Sequence, residues 1–182
     1  MARLFVAVDP PAEVRADLRR RVAILEPMMD GWRWVPEEQW HLTLAFLGEV
    51  DDLRSGRLES RLERVASRHE PLELSANGFG AFQRPARAHV FWCGVDGDRE
   101  PLRRLAWSVA AAARKAGIEV EGRAYRPHLT LGRRRTPADL REVLTAEGAY
   151  AGPSFQVTEF VLVESHLGAK VRHEIRARYP LR

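Results

Sequence analysis

The chain of 182 residues is 45% hydrophobic and 30% charged, with a formal net charge of +4. This balance excludes a disordered chain, and the longest apolar run, at about residues 109–113, is too short to cross a bilayer. We therefore predict a single domain over residues 1–182 that has no membrane partner.

Arginine dominates the basic residues, because only Lys115 and Lys170 among the 29 basic side chains are lysine. The planar guanidinium group binds phosphate and stacks on bases, so this bias favours an anionic partner such as RNA. A GC-rich genome that encodes arginine throughout would give the same bias. The net charge therefore supports an anionic partner without establishing one.

Cys93 is the only cysteine, so an intrachain disulfide is not possible. Its apolar neighbours Phe91, Trp92 and Val95 favour a small buried side chain over a nucleophile. A chain without disulfides and without a secretory signal pattern at its amino terminus is expected in the cytoplasm.

The first half of the chain alternates strands and helices. Hydrophobic spacing and turn residues predict a strand at residues 4–8, a helix that ends near residue 25, a strand at 40–47, a helix at about 53–65 and a strand at 72–79. The prolines after Asp9 suit the first turn of the first helix, with Asp9 as its cap.

The second half repeats this order and adds a last strand. The predicted elements are a strand at residues 88–95, a helix at about 100–116, a strand from residue 128, a helix at about 137–146, and strands at 155–164 and 171–177. This mixture predicts an α+β fold in which helices pack outside two largely antiparallel sheets, whose inner faces line a central cleft.

A tetrapeptide links the two halves, because residues 41–44 (HLTL) return as residues 128–131. The offset of about 87 residues also aligns other identical pairs: Val8/Val95, Asp9/Asp96, Leu18/Leu105, Val22/Val109, Ala23/Ala110, Leu53/Leu140 and Arg54/Arg141. Two repeats are too few for a solenoid. We interpret them as an internal duplication that gives two lobes related by a pseudo-twofold axis, with the two His-Thr strands facing each other across the junction.

The repeated motif places polar side chains on one strand face. Because side chains alternate along a strand, His41 shares a face with Thr43, and His128 shares a face with Thr130. Two imidazoles on one cleft suit a reaction in which one group donates a proton while another accepts one near neutral pH. Each threonine hydroxyl can then hold a non-bridging phosphate oxygen.

Other interpretations of the motif exist. A histidine on a strand is commonly structural, although recurrence in register with threonine argues against that here, and the threonines can simply be strand formers. A metal site normally needs three or more protein ligands, and none stands at a suitable short spacing. No carboxylate adjoins either histidine, so a Ser-His-Asp arrangement is not indicated.

The motif contexts resemble a known family. Residues 3–8 (RLFVAV), 40–48 (WHLTLAFLG), 126–133 (RPHLTLGR) and 164–168 (ESHLG) are similar to the two-histidine phosphoesterase superfamily. Within it, they resemble the bacterial and archaeal RNA 2′,3′-cyclic phosphodiesterases, historically called 2′-5′ RNA ligases. The likeness covers nearly the whole chain, and the paired motif at this spacing is a specific signal.

The resemblance implies metal-independent hydrolysis of a 2′,3′-cyclic phosphate to a 2′-phosphate, without a cofactor. By position, His128 would be the base that activates water and His41 the acid that protonates the leaving 3′ oxygen, while Thr43 and Thr130 would orient the phosphate. The implied partner is RNA with a 2′,3′-cyclic phosphate end or a cyclic nucleotide. We expect a monomer, although the sequence itself does not determine the oligomeric state.

Two further residues match the family as ligand contacts, Arg133 for charge and Phe46 for stacking. Phe46 shares its predicted strand face with Leu42 and Leu44, so core packing is an equal alternative. His166 and His173 stand where relatives would carry arginine and tyrosine, and we expect surface or structural roles for both. Other aromatic residues, Trp32, Trp34 and Trp40, are predicted to pack in the core rather than stack bases at the mouth of the cleft.

Two other functions stay open. The same acid and base can serve 2′-5′ RNA ligation, which is the chemical reverse in outline. The chain can also be a module that binds an RNA end or a nucleotide without turnover, although a pure binder has no need of two proton-transfer groups.

Overall fold

A computed structural model describes residues 1–168 and 171–182. The strands are β1 (Ala2–Val8), β2 (Arg33–Trp34), β3 (Leu42–Val50), β4 (Leu72–Phe82), β5 (Ala88–Gly97), β6 (His128–Ala138), β7 (Ala151–Val157), β8 (Glu159–His166) and β9 (Arg172–Pro180). The helices are α1 (Ala12–Leu25), α2 (Asp52–Ala66), α3 (Arg99–Lys115) and α4 (Arg141–Glu147). Short 3₁₀ turns at Glu26–Met28, Glu37–Gln39 and Pro85–Arg87 connect them.

The first three helices form where the apolar spacing predicts them. In α1 the buried side chains recur at Val14, Leu18, Val22 and Leu25, which is one face of a helix. Asp51 caps α2, because its carboxylate accepts a hydrogen bond of 2.8 Å from the backbone N–H of Arg54. Asp9 does not cap α1, contrary to expectation, and instead forms an ion pair with Arg15.

The strands join into a single antiparallel sheet in the order β7-β4-β5-β6-β3-β1-β8-β9, with β2 beside β6. This order is symmetric about its centre, since the repeat makes β1 equivalent to β5, β3 to β6 and β4 to β8. At the centre, the register of β3 with β6 consists of Leu42 opposite Leu129. The two halves of the sheet therefore meet through one residue pair at the start of the two motif strands.

Each half of the chain completes the sheet of the other. β1 lies between β3 of its own half and β8 of the second half, and β5 lies between β6 of its own half and β4 of the first half. The duplicated unit has thus exchanged its last strand with its copy.

The predicted α+β class and the antiparallel pairing are confirmed. The expectation of two sheets is corrected to one continuous sheet with a narrow join. The two-lobed shape stays a prediction, as does the single domain over residues 1–182.

Two predicted elements were wrong in their bounds. Residues 137–138 still belong to β6, where Ala138 lies opposite Ala88 beyond an irregular stretch that tolerates the missing N–H of a proline. The predicted strand at 155–164 is two strands, β7 and β8, because β7 pairs with β4 at one end of the sheet and β8 pairs with β1 near the other.

The helices cover one face of the sheet, with α3 against β3 and β4, α1 against β7, and α4 against β4. A large apolar core fills the space between the helices and the sheet. A small separate cluster of Phe5, Ala7, Val161 and Val163 lies buried on β1 and β8. Among the described residues, no helix combines the length and the apolar character needed to span a membrane.

Candidate active site

Both motifs line one cleft of about 960 Å³. His41 lies just before β3 and His128 begins β6, so the two imidazoles enter the cleft beside the join between the two halves of the sheet. Thr43 and Thr130, two residues further along, line the same cleft, while Leu42 and Leu129 are buried in the core. The structure therefore brings the four motif side chains together.

The imidazole of His128 is oriented by the backbone. Its Nδ1 lies 2.6 Å from the carbonyl oxygen of Arg126, which can only accept, so Nδ1 donates and the neutral ring carries its lone pair on Nε2. The ring meets Phe82 edge-on, with centroids 4.8 Å apart. Burial and then the charge of Arg133 lower the pKa of His128, which favours the neutral, proton-accepting form.

The imidazole of His41 lies between two rings. It stacks on Phe5 with centroids 4.6 Å apart, and His173 meets it edge-on at 5.1 Å. Burial, and next the charge of His173, lower the pKa of His41 to about 4, while the backbone of Gln39 opposes this shift. Gln39 and Arg126 are repeat equivalents, so a backbone group two residues upstream acts on each motif histidine.

Each motif histidine also has an aromatic neighbour from the first strand of its own half. Phe5 on β1 and Trp92 on β5 are repeat equivalents, and the ring of Trp92 lies 6.3 Å from that of His128. Gly80 makes room for the indole, because a Cβ at this position would lie 2.2 Å from it. The neighbouring strand backbones are also close, since a Cβ on Gly94 would lie 2.8 Å from the carbonyl oxygen of Asn77. The closely packed backbone thus fixes the wall behind His128.

Phe46 lines the cleft and is 61% exposed, so the core-packing alternative was wrong. The register explains this, because Val6 lies opposite Ala45 while Ala7 lies opposite Thr43, which leaves Leu44 as an extra residue in β3. Such a bulge reverses the alternation of side chains beyond it. Phe46 therefore lies on the face of Thr43 instead of the face of Leu42.

The cleft is basic. Four arginines line it, namely Arg3, Arg33, Arg133 and Arg172. Among the described residues that line the cleft, Glu38 is the one acidic side chain. Burial and the neighbouring charge of Arg33 lower the pKa of Arg133, which indicates uncompensated positive charge in a partly dry site. A negatively charged ligand would relieve this repulsion.

His173 is the site residue that sequence reasoning missed. It lies in the cleft against both Phe5 and His41, whereas His166 pairs with Glu174 at 3.1 Å outside the cleft lining. The departure from the family at residue 173 was the available signal, but only the fold shows that β9 brings this ring to His41.

Two of the three tryptophans near the first motif belong to the core, as predicted. Trp40 is 2% exposed and its indole N–H donates to the carbonyl of Val35 at 2.9 Å, and Trp32 is also buried. Trp34 instead lines the cleft, with one edge against the buried Phe91.

Across residues 1–168 and 171–182, there is no group of three or more His, Cys, Asp or Glu side chains suited to hold a metal ion. Metal-independent chemistry stays a prediction that an assay has to test. Cys93 is buried, and burial raises the pKa of its thiol to about 12, as expected for a packing residue.

The sequence matches the family described as LigT like Phosphoesterase over residues 8–92 and 94–173. A relative from Archaeoglobus fulgidus, named RNA 2′,3′-cyclic phosphodiesterase, is 36% identical over 92% of this chain and 93% of its own length. One with the same name from Thermotoga maritima is 31% identical, over 91% of this chain and 87% of its own.

Solved structures show the same fold. The crystal structure of Escherichia coli LigT complexed with 3′-AMP is 29% identical and superposes with a TM-score of 0.81 over 99% of this chain and 98% of that one. A structure described as a phosphoesterase is 31% identical and gives a TM-score of 0.83 over 99% of this chain and 98% of its own.

Proposed function

The chain belongs to the LigT-like phosphoesterase family, and we propose that it hydrolyses the 2′,3′-cyclic phosphate at an RNA end to a 2′-phosphate. The observation that carries this proposal is the pair of His-Thr motifs, whose four side chains line one basic cleft. Relatives named RNA 2′,3′-cyclic phosphodiesterase support the choice of substrate.

We assign the general base to His128 and the general acid to His41. Because Nδ1 of His128 donates to the carbonyl of Arg126, Nε2 is left to take a proton from water. The water oxygen then bonds to phosphorus and the bond from phosphorus to O3′ breaks. The O3′ atom keeps the electron pair and receives the proton of His41, which gives a 3′-hydroxyl and a 2′-phosphate.

The remaining cleft residues hold the phosphate and the nucleoside. Thr43 and Thr130 donate hydrogen bonds to the non-bridging oxygens, and Arg133 offsets the charge that builds up on them. Phe46 offers an exposed ring on which a base can stack. All of these groups lie on the lining of the cleft, which supports their assignment together.

The chain would act as a monomer in the cytoplasm. Both motif histidines come from one chain, so a second copy is not needed to complete the cleft. The single buried cysteine suits a reducing compartment.

The test is to incubate the protein and EDTA with an RNA that ends in a 2′,3′-cyclic phosphate and to identify the product by phosphorus NMR. We expect a 2′-phosphate, with turnover unaffected by the chelator. His41→Ala and His128→Ala should each lower kcat by about 10²–10⁴-fold with little change in Tm. His69→Ala serves as the control, because His69 bonds to Ser108 outside the cleft.

Three outcomes would contradict the proposal. A 3′-phosphate product would show that O2′ leaves instead of O3′. RNA binding without turnover would favour the binding module, and joining of a 5′-hydroxyl RNA in preference to hydrolysis would favour the ligase. Near wild-type activity of either histidine variant would remove that residue from the mechanism.

A further inference from the structure

A second cavity of about 460 Å³ adjoins the cleft behind His128, and we call it the arginine recess. Phe82 and His128 line both spaces, so they form the divide between them. The side chains that give the recess its chemistry are Trp92, Asp96, Arg99, Arg103, Tyr125 and Arg126. A cavity of this size is within the range of ligand sites.

The recess is positively charged, with three arginines against Asp96. Arg103 has an exposed partner, Glu100, at 3.6 Å. Within the part of the chain that the structure describes, Arg99 and Arg126 have no carboxylate partner within 4.0 Å. Their guanidinium groups are therefore available to an anion.

Two side chains that line the recess carry a buried hydrogen-bond donor. The indole N–H of Trp92, the hydroxyl of Tyr125 and, away from the recess, the hydroxyl of Tyr179 are buried and have no hydrogen-bond partner among the described residues. Burial raises the pKa of Tyr125, so its hydroxyl keeps its proton and stays a donor. Buried donors without a partner are rare because they forfeit the bonds they made to water, and two of these three belong to side chains that line the recess.

The repeat supplies a comparison. A pseudo-equivalent recess of about 310 Å³ lies behind His41, where Asp9, Glu37 and Glu38 face a single arginine, Arg15, which already pairs with Asp9. That side of the cleft repels a phosphate, whereas the side behind His128 attracts one. A polyanion bound in the cleft is therefore expected to extend past His128 and not past His41.

Resting on the function proposed above, we propose that the arginine recess binds the phosphodiester that precedes the cyclised nucleotide. An RNA strand whose cyclic phosphate lies between the motif histidines has to leave the cleft past one wall, and the recess lies on the other side of the wall at His128. The substrate is therefore an RNA of two or more nucleotides in preference to a cyclic mononucleotide.

The experiment compares kcat/KM for a short RNA and for a mononucleotide, both ending in a 2′,3′-cyclic phosphate. For the double variant Arg99→Gln/Arg103→Gln we expect a fall of about ten-fold for the RNA. The slope of log kcat/KM against log salt concentration should become shallower by about one for each phosphate that an arginine no longer neutralises. The mononucleotide value should not change. Arg104→Gln/Arg114→Gln is the control, since it removes the same charge from exposed positions of α3 that do not line the recess.

Tyr125→Phe separates a binding role from a structural one. If the hydroxyl donates to the phosphodiester, this variant loses about three- to ten-fold in kcat/KM for the RNA and keeps the mononucleotide value. If the hydroxyl is only a buried unpaired group, its removal leaves RNA turnover unchanged and raises Tm, which would overturn the proposal.

The outcomes also separate this proposal from the proposed function. Equal wild-type kcat/KM for both substrates, or equal effects of the recess and control variants, would reject the arginine recess and leave the hydrolase intact. Absence of hydrolysis of either substrate by the wild-type chain would reject both.

Discussion

His41 is neutral at pH 7 in the free cleft, because burial and His173 lower its pKa to about 4. An acid that has lost its proton cannot donate one. A bound cyclic phosphate brings a negative charge next to the ring and favours the imidazolium, which raises the pKa. Binding of the substrate would therefore favour protonation of His41, the acid that cleavage of the substrate requires.

This coupling predicts a difference between two pH profiles. The profile of kcat/KM reports the pKa values of the free enzyme, whereas that of kcat reports those of the substrate complex. We expect the profile of kcat to lie at higher pH than that of kcat/KM, since the bound phosphate raises the pKa of His41. Initial rates between pH 4 and pH 9 measure both profiles.

A substitution at His173 checks the cause. His173→Tyr removes a neighbouring positive charge, so the pKa of His41 in the free protein should rise, as followed by NMR of the imidazole. An unchanged pKa would show that burial alone sets it. Coincident profiles of kcat and kcat/KM in the wild-type protein would rule out loading of the acid by the substrate.

Sequence alone located the four motif side chains because their recurrence in register is visible along the chain. It could not place His173, whose contact with His41 depends on how β9 packs beside β8. Nor could it identify the recess, which combines a loop residue, Tyr125, with Arg99 and Arg103 of a helix.

The bulge in β3 shows how one extra residue changes the use of a strand. Strict alternation puts Phe46 on the face of Leu42 and predicts that it packs in the core. The bulge at Leu44 turns Phe46 into the cleft and keeps Leu47 in the core, at 4% exposure. Helix and strand patterns could be predicted from local spacing, but a bulge depends on the partner strand.

Phe46→Ala should therefore affect binding more than stability. We expect KM for an RNA substrate to rise by the equivalent of about 1–3 kcal/mol, the contribution of one base stacked on an aromatic ring. The Tm should stay near that of the wild type because the side chain is already exposed. Steady-state kinetics and thermal unfolding measure the two effects.

Leu47→Ala is the matched control on the same strand. Its buried side chain predicts a loss of about 2–5 kcal/mol in the free energy of unfolding, with KM unchanged in the folded fraction. A large fall in Tm for Phe46→Ala, or an unchanged KM, would return Phe46 to a structural role.

Buried histidines also make the stability of the whole chain depend on pH. As pH falls through about 6.5, His41 gains a proton in the unfolded chain, but in the folded chain it stays neutral until about pH 4. The unfolded state then binds more protons, so the free energy of unfolding is unaffected well above pH 6.5 and falls between pH 6.5 and pH 4. From the size of the shift, His41 alone accounts for at most about 3 kcal/mol.

Urea titrations at pH 8, 6, 5 and 4.5 test this prediction. His41→Gln should show a shallower loss of stability on acidification than the wild type, while the difference between the two proteins at pH 8 reflects packing only. Parallel pH dependences would show that His41 is not the titrating group.

The fold class and the order of helices and strands could be predicted from the sequence, since the duplication repeats the same hydrophobic pattern in both halves. The exchange of β4 and β8 between the halves could not, because two similar halves can pair within themselves or across each other without any change in local pattern. Only the contacts of β1 with β8 and of β5 with β4 distinguish the two arrangements.

The exchange of β4 and β8 also determines when the sheet can be completed during synthesis on the ribosome. β1 is the first strand to be synthesised, yet it acquires its second neighbour only after β8, residues 159–166, has emerged. Contacts between such distant segments form slowly and leave an open strand edge during synthesis. His173 arrives later still, so the cleft around His41 is among the last parts of the nascent chain to be completed, and a prematurely terminated chain would lack it.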